Sequence, residues 1–350
     1  MKEKVRTFLQ QEIDKQVTPG AVIRIKHKGR VIVDEALGMN SLQEDSVTMT
    51  KKHIFDMASL TKVMATLPAM LQLLEAGEIH LHDKVATFLP SFARHEKELL
   101  TLKQLLTHSS GLIAHRPYFA QKYSTTEVLQ DIFEEKLSYA PDSDVIYSDL
   151  GYILLMAIIE KVTGQPIQDY VQHHIFKPLG MNNTGYLPKY ERHEFAPTEY
   201  LEHLQDHKYG IVHDDNTEFM GGVSGHAGLF SSMEDVSIFT TMLENEGEHN
   251  GKQIVDPRWL AKSRENFTPF SSESRGLGWQ LKGTGPNPFG DLMSDKTYGH
   301  TGYTGTSFYI DPVEQLTVIL LTNRVYFGRQ DPIIRLRPRL HNLIVTNLPE

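Results

Sequence analysis

The sequence predicts an α+β fold: one antiparallel sheet built from both ends of the chain and flanked by terminal helices, with a mostly helical lobe inserted between. Three observations carry this. Short β-branched and alternating runs cluster near the two ends, helical spacings dominate from about residue 60 to 265, and an amphipathic helical segment lies at each terminus. The α/β lobe is expected at about 1–58 and 270–350 and the helical lobe at about 59–269. A cleft between two such lobes is a usual place for a site.

At the start, Val5, Phe8, Leu9 and Ile13 share one helical face. Thr18-Pro19-Gly20 turns the chain into a strand begun by Ala21-Val22-Ile23-Arg24-Ile25. Lys28-Gly29 then returns it through Arg30 to Gly38, which predicts a hairpin. Leu60, Val63, Met64, Leu67, Leu71 and Leu74 recur at helical intervals, and Gly77 supplies a stop. Pro68 falls inside that helix, where it removes the N–H that would bond Met64 and costs ~3 kcal/mol in a regular interior, so a kink is expected there. Further helices are predicted at Leu102 to Leu106, Thr126 to Phe133, Gly151 to Val162 and Ser232 to Leu243. The last is opened by the capping-box-like Ser232-Met233-Glu234-Asp235. Strands return at Leu277 to Leu281, Thr297 to Gly302, Thr306 to Ile310 and Leu316 to Leu321, the last two joined by an Asp311-Pro312 turn. Asp331-Pro332 opens a final helix as N-cap and first residue, with Ile333, Leu336, Leu340 and Leu343 inward.

Composition narrows the function. A chain of 350 residues, 40% hydrophobic and 23% charged, can bury a large core as one domain or two lobes. A net charge of −9 and a pI near 6.0 argue against a nucleic-acid partner, which needs a clustered positive surface. Arg324, Arg329, Arg335, Arg337 and Arg339 are read as the solvated face and last turn of a helix. The absence of cysteine excludes disulfides, thiol nucleophiles and Cys-ligated zinc. Met1 to Arg6 runs straight into the first helix without an apolar leader core, and no later segment reaches the ~18 apolar residues of a membrane span. A cytoplasmic location without a membrane partner is therefore expected, unless a leader has been removed.

Chemistry is concentrated in Asp56-Met57-Ala58-Ser59-Leu60-Thr61-Lys62. Residues three apart on a helix are neighbours, so a Ser59 nucleophile and the Lys62 amine can share a proton. Near a helix N-terminus, unpaired N–H groups favour developing negative charge and disfavour a charged lysine, and burial would push the amine the same way. Alone, the pair is better read as an N-capping serine beside a solvated lysine, since S-x-x-K often occurs by chance. Two further stretches could meet it in the cleft: Tyr147-Ser148-Asp149-Leu150-Gly151-Tyr152, just before an apolar helix, and His300-Thr301-Gly302, at a strand end. Alone, Tyr147 is an ordinary boundary tyrosine and His300 a strand histidine bonded to a carbonyl.

Together these stretches resemble the serine β-lactamase and penicillin-binding-protein superfamily, closest to its class C branch with the related esterases, D-aminopeptidases and muramyl-peptide amidases. That branch carries S-x-x-K, then Y-x-N, then K-T-G or H-x-G, in this order and at similar separations. The flanks Leu105 to Leu112, Ile175 to Met181, Gly228 to Ser231 and Gly276 to Trp279 resemble it too, so the likeness spans almost the whole chain. The resemblance implies a β-lactamase/transpeptidase-like fold and acyl transfer through a covalent intermediate on Ser59. Lys62 and Tyr147 would share the base role, with Tyr147 returning a proton to the leaving group. The backbone N–H groups of Ser59 and Tyr303 would form the oxyanion hole. Asp149, His300, Thr301 and Gly302 would contact substrate. No cofactor or metal is implied, and the partner is a small-molecule or peptide substrate; the oligomeric state stays open.

Two departures matter. Asp149 stands where the family most often has Asn, and His300 replaces Lys; both make the site less positive. Weak activity on penicillins and D-Ala-D-Ala peptides is therefore expected, with neutral amides or esters, or ligands that donate to Asp149, favoured. The loop Gly210 to Asp215 followed by Gly221 to Gly228 resembles the exo-acting N-acetylmuramyl-L-alanine amidases, which cut the lactoyl-to-L-alanine amide of muramyl peptides. His213, Asp214 and His226 in that loop are read as loop-structuring rather than as a metal site. His80-Leu81-His82-Asp83 starts a metallo-hydrolase pattern that Lys84 breaks. The rival readings are a carboxylesterase of the same family, a catalytically silent receptor for cell-wall fragments or penicillin, and a metal-dependent hydrolase.

Overall fold

The computed structural model describes residues 1–285 and 287–349. Its main sheet is antiparallel, with the strands in the order Gln280–Leu281, Tyr298–Thr301, Ser307–Asp311, Leu316–Thr322, Gly20–His27, Arg30–Gly38. The two chain ends meet in its middle, where Ala21 pairs with Thr322 and Ile25 with Val318. The predicted hairpin forms because Lys28 and Gly29 both take positive φ, 50° and 73°, the left-handed pair that matches strand twist.

Every residue of Gly20–His27 is buried, and its alternation sorts the two faces. Ala21, Ile23 and Ile25 pack with Val5 and Leu9 of the helix Lys2–Asp14 and with Leu336, Leu340 and Ile344 of the helix Pro332–Thr346. On the other face, Arg24 bonds Glu234 at 2.8 Å, and Lys26 meets Thr240 at 3.0 Å and Glu244 at 2.8 Å. The helix Met233–Glu244, which sequence position groups with the helical lobe, thus lies on the sheet. The rest of the helical lobe centres on Asp149–Thr163, whose inner residues from Leu150 to Ile159 are almost all fully buried.

Several expectations are corrected. The helix after Ser59 does not simply kink at Pro68. Instead Lys62–Thr66 widens into a π-helical turn, in which the Leu67 N–H bonds the Lys62 carbonyl, and a regular helix Leu67–Glu75 follows. A second π turn, Gln172–Phe176, likewise ends just before Lys177 and Pro178. In both, the wider turn comes just ahead of a proline ring that would clash with the carbonyl four residues back. The predicted strand from Leu277 shortens to Gln280–Leu281, because Gly278 takes φ +75° and its N–H bonds the Leu106 carbonyl. Ser232 caps the Asp235 N–H at 3.4 Å, but the Asp235 carboxylate turns away to the Asn183 N–H and the Thr184 hydroxyl, so the box stays open. In the last helix Ile344, not Leu343, completes the inner stripe. Arg324 and Arg337 are buried rather than solvated. Arg337 donates to the Thr306 carbonyl at 3.1 Å and so braces the turn that carries Tyr303.

Candidate active site

Phe55–Asp56 forms a short strand that delivers the chain to Ser59. Asp56, fully buried, accepts the N–H groups of Ala58 at 2.7 Å and His213 at 2.6 Å. Burial pushes its pKa up, against the pull of those two bonds. Ala58 takes φ +45°, a left-handed conformation that costs about 1 kcal/mol or more for a residue with a Cβ. The result is a tight elbow that places Ser59 just before the first helical residue, Leu60.

Lys62 is completely buried. Its Nζ lies 3.0 Å from Ser59 Oγ, 2.7 Å from Asp149 Oδ1 and 3.3 Å from the His226 carbonyl. Burial alone would lower its pKa, but the charge and hydrogen bond of Asp149 lead the influences that outweigh it, and the net direction is up. The amine is thus an ammonium. The expected drift towards a neutral base is corrected, because the carboxylate at position 149 supplies a counter-charge that an asparagine would not. Burial opposes ionisation of Asp149 too, yet Lys62 and His226 hold it well below the usual carboxylate range.

Tyr147 lies against this pair, its ring centroid 4.6 Å from Lys62 Nζ, and its hydroxyl is buried without a protein partner. Ser59, Tyr147, Asp149, Asp214 and Tyr303 line one cavity of about 340 Å³. Among the described residues neither the Ser59 nor the Tyr303 N–H bonds another group, so both donors are free at the cavity mouth. The turn after His300-Thr301-Gly302 reaches the elbow through Thr304, whose hydroxyl donates to the Asp56 carbonyl at 2.7 Å, and Thr306, which donates to Met57. A Cβ on Gly302 would overlap both Thr306 Oγ1 and the Met57 carbonyl, so only glycine permits this approach.

The family model described as Beta-lactamase matches residues 5–341. The chain is a member of the beta-lactamase family, a serine hydrolase. Among curated relatives, a "Putative D-alanyl-D-alanine carboxypeptidase" of Escherichia coli strain K12 is 36% identical, covering 83% of this chain and 74% of its own length. An N-acetylmuramyl-L-alanine amidase of Bacillus subtilis strain 168 is 33% identical, covering 90% and 79%. Similar folds include EstCE1, a hydrolase with promiscuous acyltransferase activity (TM-score 0.77, 22% identity, 97% of this chain and 98% of that one). Another is the octameric penicillin-binding protein homologue from Pyrococcus abyssi (TM-score 0.76, 24% identity, 97% and 76%).

In this beta-lactamase-family hydrolase the residues expected to contact substrate lie at different depths. His300 is only 3% exposed and points its Nδ1 at the Thr301 carbonyl, 2.7 Å away. Neither it nor Thr301 and Gly302 belong to the cavity wall. Asp149 does, but its Oδ1 is committed to Lys62 while Oδ2 lies 3.8 Å from His115. The loop residues do as expected: His226 Nε2 meets Asp214 at 3.1 Å, Asp214 caps the helix Asp215–Phe219, and His213 turns to Glu199. Asp149, Asp214 and His226 could group their ligand atoms within 4.8 Å, but the cation already beside them is the Lys62 ammonium.

Sequence reasoning gave no role to Asp56, His115, Arg275 or His108, which the fold places at or beside the site. No spacing rule marks them; His108 lay inside the flank Leu105 to Leu112, where only the resemblance drew attention. It lies between Tyr147 and Tyr152, tilted against the first and stacked on the second, at 4.5 and 5.1 Å between ring centroids.

Buried neutral imidazoles make a prediction. Burial and the nearby cations Arg275 and Lys62 push His300 down to about 3, and burial pushes His108 well below its ordinary value and His341 down to about 4. Unfolding releases all three to ~6.5, so their stabilisation is complete above that pH and is lost as the pH falls towards the folded values. Thermal unfolding between pH 7 and 4 will show a steep fall in Tm; a flat Tm over that interval would mean these rings are already charged in the fold.

Proposed function

We propose that Ser59 is the nucleophile of an amide hydrolase acting on cell-wall muramyl peptides. The observation that carries it is the continuous contact Ser59–Lys62–Asp149, at 3.0 and 2.7 Å, opening into one cavity with Tyr147. Tyr147, starting as its phenolate, takes the Ser59 proton as Oγ bonds to the substrate carbonyl carbon, and the oxyanion accepts the N–H groups of Ser59 and Tyr303. As the C–N bond breaks, Tyr147 passes that proton to the leaving amine. Water then attacks the acyl ester through the same base, releasing the acid and restoring Ser59. Lys62 stays protonated throughout, its Nζ 4.6 Å from the centre of the Tyr147 ring.

Substrate class follows from charge. Asp149, Asp214 and Asp215 line the cavity, and its one arginine, Arg329, is held by Asp215 at 2.8 Å and Glu199 at 2.9 Å. Among the described residues that line the cavity, the arginine is thus already paired and His115 faces Asp149, which favours an internal amide over the C-terminal D-Ala-D-Ala bond. The name of the Bacillus subtilis relative supports the lactoyl-to-L-alanine amide. Intact-mass spectrometry after a fluorophosphonate will show one adduct on the wild type and none on Ser59→Ala, and a muramyl peptide will be cleaved faster than a D-Ala-D-Ala peptide. Absence of the adduct would reject the nucleophile, and the reverse preference would reject the substrate.

A further inference from the structure

Four polar atoms around the site are buried without a hydrogen-bond partner among the described residues: Tyr147 Oη, His108 Nε2, His300 Nε2 and Arg275 Nε. They come from four separate segments and surround one phenol. From the Tyr147 ring centroid, His108 lies at 4.5 Å and His300 at 5.7 Å between ring centroids, and the Arg275 guanidinium carbon at 5.3 Å. A buried guanidinium nitrogen left unpaired costs free energy, so its placement needs a reason.

The charges facing Tyr147 can be counted element by element. Ser148 donates its N–H to His108 Nδ1 at 3.0 Å, so that ring carries its proton on Nε2. His300 donates from Nδ1 to the Thr301 carbonyl, which leaves a lone pair on Nε2. Both imidazoles are neutral, pushed down by burial and by the charge of Arg275 itself. Lys62, on the nucleophile helix, is balanced by Asp149 at 2.7 Å. Tyr152, from the helix behind, adds no charge, since burial drives its pKa far up. Arg275 has Glu273 as counter-ion, but the two are unequally placed: the arginine side chain is 6% exposed and the glutamate 40%. Water screens the carboxylate far more than the guanidinium.

We propose that Arg275 is a positioning residue that acts through Tyr147, supplying a positive field, only partly offset by the more exposed Glu273, that holds Tyr147 as the phenolate from which it accepts the Ser59 proton. This rests on the reading of Tyr147 as the base. The segment is anchored for the purpose: the Arg275 N–H bonds Thr268 Oγ1 at 2.9 Å, and the Gly278 N–H bonds the Leu106 carbonyl at 2.9 Å, two residues before His108. Arginine suits the task because it stays charged at any working pH.

The test is the pH dependence of Ser59 acylation by a p-nitrophenyl ester, followed as burst rate in the wild type, Arg275→Lys, Arg275→Gln and Glu273→Gln. Arg275→Gln will move the acidic limb upward by about one pH unit, a roughly tenfold loss on that limb with a smaller loss on the plateau. Arg275→Lys will keep the limb near its original place. Glu273→Gln, a change at a more exposed position, will move the limb downward by removing the counter-charge, and it decides the matter if Arg275→Gln does not fold. An even loss of rate at all pH values in Arg275→Gln, or an unmoved limb in Glu273→Gln, would overturn the proposal and leave Arg275 a packing residue. Failure of the base assignment is read separately, as an acidic limb that survives in Tyr147→Phe.

Discussion

Tyr147→Phe will lower kcat for amide hydrolysis by about a thousandfold while leaving KM within a few-fold, since a positioned general base contributes on the order of 10² to 10⁴. The reason lies in the company of the hydroxyl. Lys62 is the side chain bonded to Ser59, but the ion pair with Asp149 keeps it an ammonium, so it has no lone pair to offer, and Tyr147 lines the same cavity beside it. The ring itself is held by the tilted contact with His108 and by Lys62 over its face, contacts that phenylalanine keeps. The substitution therefore removes the proton acceptor without collapsing the cavity. Steady-state kinetics on a muramyl peptide will separate the two constants. A fall of less than about tenfold in kcat would transfer the base role away from Tyr147.

Asp149→Ala will destabilise the fold by about 3–5 kcal/mol, the usual cost of stranding one partner of a buried pair. Without its counter-ion the Lys62 ammonium is left in a site where burial is the largest influence, and its pKa turns from raised to lowered. The sign follows: in the wild type the folded state holds the lysine proton more tightly than the unfolded chain, so the pair stabilises below the ordinary lysine value and the benefit fades as pH rises through the raised one. In Asp149→Ala the order reverses, and stability will improve as pH rises towards the ordinary lysine value. Lys62→Met in the same background will recover most of the loss, because no charge then remains buried. Urea unfolding of the single and double variants measures this directly, and a double variant no more stable than Asp149→Ala would show that the pair is not the source of the penalty.

Much of this architecture was written along the chain. Period-two runs at both ends require one sheet assembled from both termini, since neither hairpin alone could bury its two faces, and the Lys28-Gly29 pair selects its own turn geometry. Ser59 and Lys62 become neighbours through helical spacing, a local property. What spacing could not decide was how charge would be balanced among parts far apart in sequence. Asp149 lies 87 residues from Lys62, yet their contact fixes the lysine as a cation. His300 turns to its own strand carbonyl instead of the cavity, and Arg275, in a loop without periodicity, ends beside Tyr147. The sequence determined the fold class, the pairing of Ser59 with Lys62 and the order of the motifs, because those follow from local pattern. Only the tertiary structure decided which groups carry charge beside the phenol, because desolvation and pairing depend on neighbours that the folded chain alone brings within a few ångströms.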